Sequence, residues 1–268
     1  MAILSTVDTV ASNLSRLRHL FVNVYFVRGE DGWVLTDAAL PGSAGEIFET
    51  AESLFGAGVP PRAILLTHGH FDHVGALDEL LKRWDVPLYA HELELPHLTG
   101  ARDYPPPDPL VGGGAMALMS FAYPNKAADF GDRVTALPAD GSVPFLHGWR
   151  WLHTPGHTGG HVSFFRDADR CLIAGDAFVT VKQESLYEVV RQDEEVHGPP
   201  AYFTPDWAAA KTSVERLAAL RPTIAATGHG KPMQGQSLTE GLETLVRNFD
   251  EIAVPGKHRD QLEKAPLA

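Results

Sequence analysis

Cysteine is almost absent from this sequence of 268 residues, and a single one, Cys171, excludes an internal disulfide. Such a chain fits a reducing compartment. Cys171 stands in the run RCLIAGD, whose apolar residues predict a strand. We therefore expect its thiol to be buried and to serve packing rather than reactivity.

Positive charge is also scarce, because 22 Lys and Arg residues face 34 Asp and Glu residues and the formal net charge is −12. No run of lysines or arginines reverses that balance locally, which argues against nucleic acid as a partner. Apolar runs are too short to span a membrane, and the N-terminus lacks the apolar core of a signal peptide. We expect a cytoplasmic protein with no membrane partner.

What the sequence does contain is a regular alternation of strand and helix patterns, with 44% hydrophobic residues to fill a core. FVNVYFV and WVLTD, joined by the turn GEDG, predict an antiparallel hairpin. AGEIFETAESLF and HVGALDELLKRW have helical spacing, and the strands RAILLTH and VPLYAH follow them in turn. Later strands, from RVTALPADG to TIAATGHG, are accompanied by helices at about 206–220 and 237–252.

Both halves of the chain place strands before helices, although no residue-level repeat relates them. This order predicts an α/β fold, a four-layer αββα sandwich of two mixed β-sheets with helices on the outer faces. We expect one domain over residues 1–268. Its Pro- and Gly-rich stretch at about 95–130 surrounds the apolar run MALMSFAY and is long for a plain connection, so it predicts a lid-like insert.

The segment LLTHGHFDHVGAL places three histidines and an aspartate within six positions, directly after a predicted strand. His68 and His70 are two apart on an extended segment, so their side chains point the same way. Asp72 and His73 follow where the chain turns into a helix. All four can bind a cation, but zinc normally takes three or four protein ligands. One loop could thus serve two adjacent ions, with the missing ligands supplied from elsewhere.

Three further residues each follow a strand-like run and have glycines beside them, which allow close backbone approach. They are His157 in HTPGHTGGH, Asp176 in LIAGDAF and His229 in ATGHGKP.

Taken together, these seven positions resemble the metallo-β-lactamase superfamily of metal-dependent hydrolases, whose pattern is H-x-H-x-D-H followed by a His, an Asp and a His. The resemblance covers nearly the whole chain and implies two divalent metal ions, zinc first, with manganese or iron as alternatives. It assigns the ligands as follows: His68, His70 and His157 to one ion, Asp72, His73 and His229 to the other, and Asp176 as the bridge.

Two residues outside the ligand set also have expected roles. Asp37, in WVLTDAAL, matches a strand-end aspartate that supports the metal loops in the family, although Ala38 and Ala39 replace the family's small-residue and glycine continuation. His161, in HTGGHVSFF, is expected to hold a neighbouring ligand loop.

By this resemblance the protein is expected to be a dinuclear hydrolase that uses a bridging hydroxide on a carboxylic ester, lactone or thioester of a small molecule. Asp72 would orient the hydroxide and accept its proton. Either Tyr187 or Tyr202 would hydrogen-bond a substrate carbonyl, as in related lactonases. The acidic chain and apolar insert favour a neutral substrate over a phosphate polyanion, and a homodimer is compatible with the sequence.

Three alternatives remain open. A persulfide dioxygenase of this fold uses a single iron on the first three ligands. A glyoxalase II-type thioesterase shares the metal set, but its basic and aromatic glutathione contacts are sparse here. A metal-stabilised binding module without activity is the third. The complete second ligand set favours the hydrolase over the dioxygenase and the binding module, because neither needs it.

Overall fold

The structure is a computed structural model that describes residues 5–112, 114–191 and 194–260. The chain divides into two compact units. Unit 1 consists of Met1–Tyr104 and Lys126–Trp151, and unit 2 of Pro105–Asn125 and Leu152–Ala268. The middle of the expected insert at 95–130 thus belongs to unit 2 and its flanks to unit 1. The single domain over residues 1–268 and the lid role of the insert stay predictions.

Unit 1 contains a seven-stranded mixed sheet whose strands follow one another in chain order. The strands are β1 (Ser5–Ala11), β2 (Leu14–His19), β3 (Val22–Gly29), β4 (Gly32–Thr36), β5 (Ala63–Leu65), β6 (Leu88–Ala90) and β7 (Val134–Ala136). The first four pair antiparallel, and β4 to β7 pair parallel. The helices of this unit are α1 (Ala44–Phe55), α2 (Phe71–Val74), α3 (Leu77–Arg83) and α4 (Leu95–Leu98).

Most of these elements are the ones that the sequence predicts. The predicted hairpin is β3 and β4, and the first predicted helix is α1. The helix predicted over HVGALDELLKRW is instead two short helices, α2 and α3, because the backbone at Gly75 leaves the helical bonding pattern. Its N–H donates to the carbonyl of Ala39 at 2.8 Å, and a Cβ at Gly75 would lie 2.3 Å from the nitrogen of Pro41.

Strands β1 and β2 were not predicted. The residues of β1, STVDTVA, mix apolar and polar side chains, and the strand is partly to fully exposed along its length. An edge strand with little buried surface carries a weak hydrophobic period, so its pairing with β2 decides its structure more than its own pattern does.

The second sheet is mixed and has five strands in the spatial order β12-β11-β10-β9-β8; it belongs to unit 2 except for residues 149–151 of β8, which fall in unit 1. The strands are β8 (Trp149–His153), β9 (Val162–Arg166), β10 (Cys171–Gly175), β11 (Ile224–Thr227) and β12 (Met233–Gln234). The helices are α5 (Ala115–Met119), α6 (Leu186–Arg191), α7 (Trp207–Ala219), α8 (Gly235–Arg247) and α9 (Phe249–Ile252). The two helices predicted late in the chain are α7 and the pair α8–α9.

The core of unit 2 surrounds its central strand, β10, which is buried at all five positions. Cys171 is a free, buried thiol at the start of this strand, as the sequence predicts. Burial raises the pKa of the Cys171 thiol from 9.0 to about 12, so the thiol is neutral at physiological pH. Among the described residues, every helix is too short or too polar to span a bilayer.

Candidate metal centre

Four of the predicted ligands lie in the loop that follows β5 and in the short helix α2. His68, His70, Asp72 and His73 are all buried. The imidazole of His68 lies with its ring centroid 4.7 Å from that of His70 and 4.2 Å from that of His73. The crowding seen in the sequence is therefore a cluster of side chains in unit 1.

Asp37, which follows β4, holds this loop with both carboxylate oxygens. Oδ1 accepts the backbone N–H of Thr67 at 2.8 Å. Oδ2 accepts the Thr67 hydroxyl at 2.8 Å and lies 2.9 Å from Nδ1 of His73. These contacts agree with the supporting role expected of Asp37, because a ligand histidine in metal sites commonly donates its second N–H to a carboxylate.

The same hydrogen bonds set the orientation of two imidazoles. Nδ1 of His73 can only donate to the Asp37 carboxylate, so the lone pair of His73 is on Nε2. The Thr67 hydroxyl donates to Asp37, so it accepts from Nδ1 of His68 at 3.0 Å. His68 therefore also presents Nε2 as its metal-binding atom.

Ala38 and Ala39 follow Asp37 where the family pattern has a glycine, yet the backbone keeps a conformation that favours glycine. Asp37 and Ala39 have φ values of 63° and 48°, in the left-handed region that favours glycine. The N–H of Ala38 donates to the carbonyl of His73 at 2.7 Å. This bond, together with the bond from the N–H of Gly75 to the carbonyl of Ala39, attaches the turn to α2. The two bonds stabilise the left-handed conformation although no glycine is present.

A second carboxylate, which no pattern in the sequence indicates, supports the loop. Glu94 is buried and accepts the backbone N–H of Gly69 at 3.0 Å and the hydroxyl of Tyr104. The ring of Tyr104 lies 4.6 Å from that of His70, and a Cβ at Gly69 would lie 2.5 Å from the Tyr104 hydroxyl. Burial and the Glu94 carboxylate raise the pKa of Tyr104 well above 10.0, so the tyrosine stays a donor.

The three remaining predicted ligands lie in unit 2, each after the end of a strand. His157, Asp176 and His229 follow β8, β10 and β11, and all three are buried. Oδ2 of Asp176 lies 3.5 Å from Nε2 of His157 and 3.1 Å from Nε2 of His229. Ligands about 2.0–2.1 Å from a tetrahedral ion lie roughly 3.3 Å from one another. The donor atoms of unit 2 therefore have the spacing of ligands that share cations.

His157 is oriented by a hydroxyl rather than by a carboxylate. The hydroxyl of Thr204 donates to the carbonyl of Pro200 at 2.8 Å, and it therefore accepts from Nδ1 of His157 at 3.2 Å. This bond leaves the lone pair of His157 on Nε2, the atom that faces Asp176.

His161 holds the Asp176 loop, as the sequence analysis expected. Its Nε2 accepts the backbone N–H of Asp176 at 2.9 Å, so its Nδ1 donates to the hydroxyl of Thr154 at 2.9 Å. The Ser163 hydroxyl donates to the carbonyl of Ala174 at 2.9 Å, and Thr154 completes the chain by donating to Ser163 at 3.0 Å. Each hydrogen bond in this series therefore has a defined donor, and His161 is a neutral imidazole with its proton on Nδ1.

The His229 loop is held by two buried threonines. The hydroxyl of Thr227 donates to the carbonyl of His229 at 2.7 Å, and the hydroxyl of Thr180 donates to the carbonyl of Lys231 at 2.6 Å. Gly230 has a φ of 89°, and a Cβ there would lie 2.5 Å from the Thr180 hydroxyl oxygen. A glycine is therefore required beside this ligand.

The two candidate substrate tyrosines have different surroundings. Tyr187 lies exposed on α6 and accepts a hydrogen bond from Arg191 at 2.6 Å. Tyr202 is buried and packs against Tyr123, with ring centroids 5.6 Å apart, and against Phe203 at 5.2 Å. Phe203 meets the ring of His157 at right angles, with ring centroids 6.5 Å apart. Tyr202 is thus part of an aromatic cluster that reaches a predicted ligand.

The donor chemistry of the seven residues fits divalent cations. Each belongs to a group of buried His and Asp side chains that can hold a metal ion. Imidazole nitrogens suit zinc and iron, and carboxylate oxygens suit manganese. The assignment of individual residues to the two ions stays a prediction.

The Lactamase_B family model, described as the metallo-β-lactamase superfamily, matches residues 17–229. This span runs from β2 to the last predicted ligand. The chain belongs to the metallo-β-lactamase superfamily. The family resemblance expected from the sequence is therefore confirmed.

Similar proteins support the same conclusion. The probable metallo-hydrolase YflN of Bacillus subtilis is 49% identical over 233 residues, which cover 86% of this chain and 88% of that protein. Among solved structures, TTHA1623 in a di-iron-bound form is 27% identical, with a TM-score of 0.54 and coverage of 89% of this chain and 96% of that one. A B3 metallo-β-lactamase with an active-site glutamic acid is 19% identical, with a TM-score of 0.64 and 94% coverage of each chain.

These similarities settle the coarser predictions. The predicted class, an α/β sandwich with two mixed sheets, is confirmed by the sheets of the two units and by the fold of the structural neighbours. The chain is a metallo-hydrolase of this superfamily with a buried cluster of His and Asp residues suited to metal binding.

Proposed function

We propose that this metallo-hydrolase is a dinuclear enzyme that cleaves a carboxylic ester, lactone or thioester of a small, neutral molecule. His68, His70 and His157 would hold one divalent ion, Asp72, His73 and His229 the other, and Asp176 would bridge them. The observation that carries the proposal is the orientation of the ligands. His68, His73 and His157 each have Nδ1 engaged, which presents Nε2, and Asp176 has ligand-like spacing from two histidines.

Two bound divalent ions would supply Lewis acidity that lowers the pKa of water to about 7 and polarises an ester carbonyl. The chain's own contribution is orientation and proton transfer. Asp72 would use one oxygen as a ligand and the other to accept a proton from the attacking water. Asp37 would keep His73 in its tautomer throughout, since it accepts from Nδ1 at 2.9 Å.

The aromatic cluster beside His157 supports an apolar acyl group as the part of the substrate that is recognised. Tyr202 and Phe203 are buried, and Phe203 touches the ligand imidazole. Tyr202 is a better candidate than Tyr187 for contact with a substrate carbonyl, because Tyr187 lies exposed and bonded to Arg191. The net charge of −12 supports a neutral substrate over a polyanion.

Metal content is the first test. Elemental analysis of protein purified without chelators is expected to give about two zinc or manganese ions per chain, as a two-metal site requires. Two iron ions per chain would also support a dinuclear site, with iron in place of zinc or manganese, as in the di-iron form of TTHA1623. One iron with oxygen uptake on a persulfide would replace the hydrolase with the dioxygenase.

The activity test is a panel of lactones, aryl esters and thioesters, including a glutathione thioester, with Asp72→Asn as the test variant. We expect turnover of the best substrate to fall about 10²- to 10⁴-fold, as for loss of a general base. Asp78→Asn changes an exposed carboxylate on the neighbouring helix and is the matched control. Equal turnover in the Asp72→Asn variant and the parent would show that Asp72 takes no part in the mechanism. If the glutathione thioester were the one substrate of the panel that is hydrolysed, the glyoxalase II-type activity would be indicated instead.

A further inference from the structure

Exposed hydrophobic residues are concentrated in one region of unit 2. Six of the thirteen large hydrophobic residues that are exposed in the described chain lie in only two short segments. We call these six residues the apolar patch: Leu118, Met119 and Phe121 of the insert, and Leu186, Tyr187 and Val190 of α6. Phe121 and Val190 are 74% and 72% exposed, so these side chains have almost no cover within the chain.

The two segments of the apolar patch are neighbours. The backbone N–H of Met116 in α5 donates to the carbonyl of Glu184, two residues before α6, at 3.1 Å. A Cβ at Gly114 would lie 2.6 Å from the same carbonyl oxygen. Helices α5 and α6 therefore begin side by side, and their exposed residues belong to one region of the surface.

Both segments are anchored from beneath, so their exposure is a property of the fold. Met116 and Ala117 of α5 and Val189 of α6 are buried. Tyr123 donates to the sulfur of Met116 at 3.6 Å and packs against Tyr202. Each short helix thus buries one face and leaves an apolar face uncovered.

The size of the apolar patch decides what can cover it. Large side chains present on the order of 150–200 Å² each, so six that are a little over half exposed present roughly 600 Å². That is the upper limit of the largest patch on a typical monomer. Two such patches would bury about 1,200 Å² together, the lower limit for a stable protein–protein interface.

The charges that flank the apolar patch suit a second copy of the same chain. Glu188 and Arg191 lie three residues apart on α6, so they project from the same side of the helix. Two copies of α6 that meet antiparallel across a two-fold axis bring Glu188 of each copy toward Arg191 of the other. Within α6 the two charges cancel, whereas the net charge of −12 of the whole chain would repel an anionic bilayer.

We propose that the apolar patch is the interface of a homodimer, in which the patch of one chain packs against the same patch of a second copy. This proposal is independent of the substrate and of the metals. In this dimer each apolar patch is covered by the same patch of the other copy, which has the same area, the same apolar character and the complementary pair of charges.

The test is the concentration dependence of mass, measured by light scattering and sedimentation of the metal-loaded protein from about 1 to about 100 μM, where interfaces of this size associate. We expect a dimer whose dissociation constant rises about 30-fold or more in Phe121→Glu and Val190→Glu, as for central interface residues. Val59→Glu, at an exposed apolar position of unit 1, is the matched control and should dimerise like the parent. Thermal unfolding confirms that each variant is folded.

A charge exchange provides a second, specific readout. Glu188→Arg and Arg191→Glu should each weaken the dimer, and the double variant should restore it. A monomer at every concentration, or a dimer that is indifferent to both patch variants, would overturn the proposal. A monomer that sediments with phosphatidylcholine vesicles would also overturn it and assign the apolar patch to a lipid surface.

Discussion

The two units carry the predicted ligands in contrasting ways. In unit 1, four ligands lie within six consecutive residues, and carboxylates hold their loop: Asp37 binds Thr67 and His73, and Glu94 binds Gly69. In unit 2, three ligands lie on three separate loops, and neutral groups hold them. The unit 2 supports are Thr204 for His157, His161 with its hydroxyl chain for Asp176, and Thr180 and Thr227 for His229.

This difference has an energetic meaning. A hydrogen bond to a charged group contributes about 1.5–3 kcal/mol, and one between neutral groups about 0.5–1.5 kcal/mol. The loop of unit 1 is therefore expected to be the more strongly organised half and the one more easily damaged by a single substitution. The following variants test that expectation, in order of decreasing expected effect.

Asp37→Asn should have the largest effect. The substitution removes the charge and leaves one acceptor oxygen in place of two, so the side chain can no longer accept from both the Thr67 N–H and Nδ1 of His73 as the carboxylate does. We expect metal affinity to fall about 10- to 100-fold, the usual cost of losing such a supporting group. Competition with a chromogenic chelator measures it. Asp31→Asn, in the exposed β3–β4 turn, is the control. Parental affinity in Asp37→Asn would show that this carboxylate does not organise the loop.

Glu94→Gln should be the next most damaging change. Gly69 and Tyr104 both donate to Oε2 of Glu94, so an amide oxygen can keep both bonds, but the charge that strengthens them is lost and we expect metal affinity to fall about 10-fold. Tyr104→Phe leaves the carboxylate on Gly69 and should cost less. Glu92→Gln, an exposed change two residues earlier, is the control. If Tyr104→Phe costs more than Glu94→Gln, the tyrosine rather than the carboxylate positions the loop.

Thr204→Val tests the neutral support of unit 2. Loss of the hydroxyl removes one neutral hydrogen bond to His157, so the free energy of metal binding should change by about 0.5–1.5 kcal/mol. Thr212→Val, at an exposed position of α7, is the control. A loss as large as that of Asp37→Asn would contradict the contrast between the two halves.

The smallest expected effect is a difference between the two units in how their stability depends on pH, and Cys171 is its cause. The folded thiol has a pKa of about 12, raised from 9.0, so its stabilising contribution is complete below pH 9 and is lost as the pH rises toward 12. Tyr104 in unit 1 has an ordinary pKa of 10.0, so its contribution starts to fall about one unit higher. Between pH 9 and 10, amide protection relative to the intrinsic, base-catalysed exchange rate should fall in β9–β11 before β3–β5, and less so in Cys171→Ala. An equal loss of protection in parent and variant would exclude the thiol as the cause.

The sequence indicates the seven predicted ligands but not most of the groups that hold their loops. Adjacency in the sequence indicates the candidates His68, His70, Asp72 and His73. The family pattern gives the other three in order: His157, Asp176 and His229. Asp37 also came from that pattern. Glu94 and Tyr104 did not, because they are 10 residues apart and 25 to 35 residues from the Gly69 that they support. Only the tertiary fold brings them together, and no local period marks such a pair.

The fold shows the same limit. Helix α1 and the β3–β4 hairpin follow from hydrophobic spacing, because their buried faces repeat with a helical or strand period. The break between α2 and α3 does not, because it comes from the contact between Gly75 and the Leu40–Pro41 backbone. The exposed edge strand β1 also has no such period. Prediction thus succeeded where a buried face repeats with a regular period, and failed where that period is absent or where a contact distant in sequence overrode the local pattern.

The division of the chain has a consequence for inheritance. Unit 1 is made from two stretches, and residues Pro105–Asn125 between them belong to unit 2. A single genetic crossover cannot exchange one unit between relatives, because it would carry part of the other unit with it. Exchange of a complete unit requires simultaneous junctions near residues 104, 125 and 151. A single crossover between residues 73 and 157 would separate the two halves of the predicted ligand set, but it would always leave one of the two units assembled from both parents.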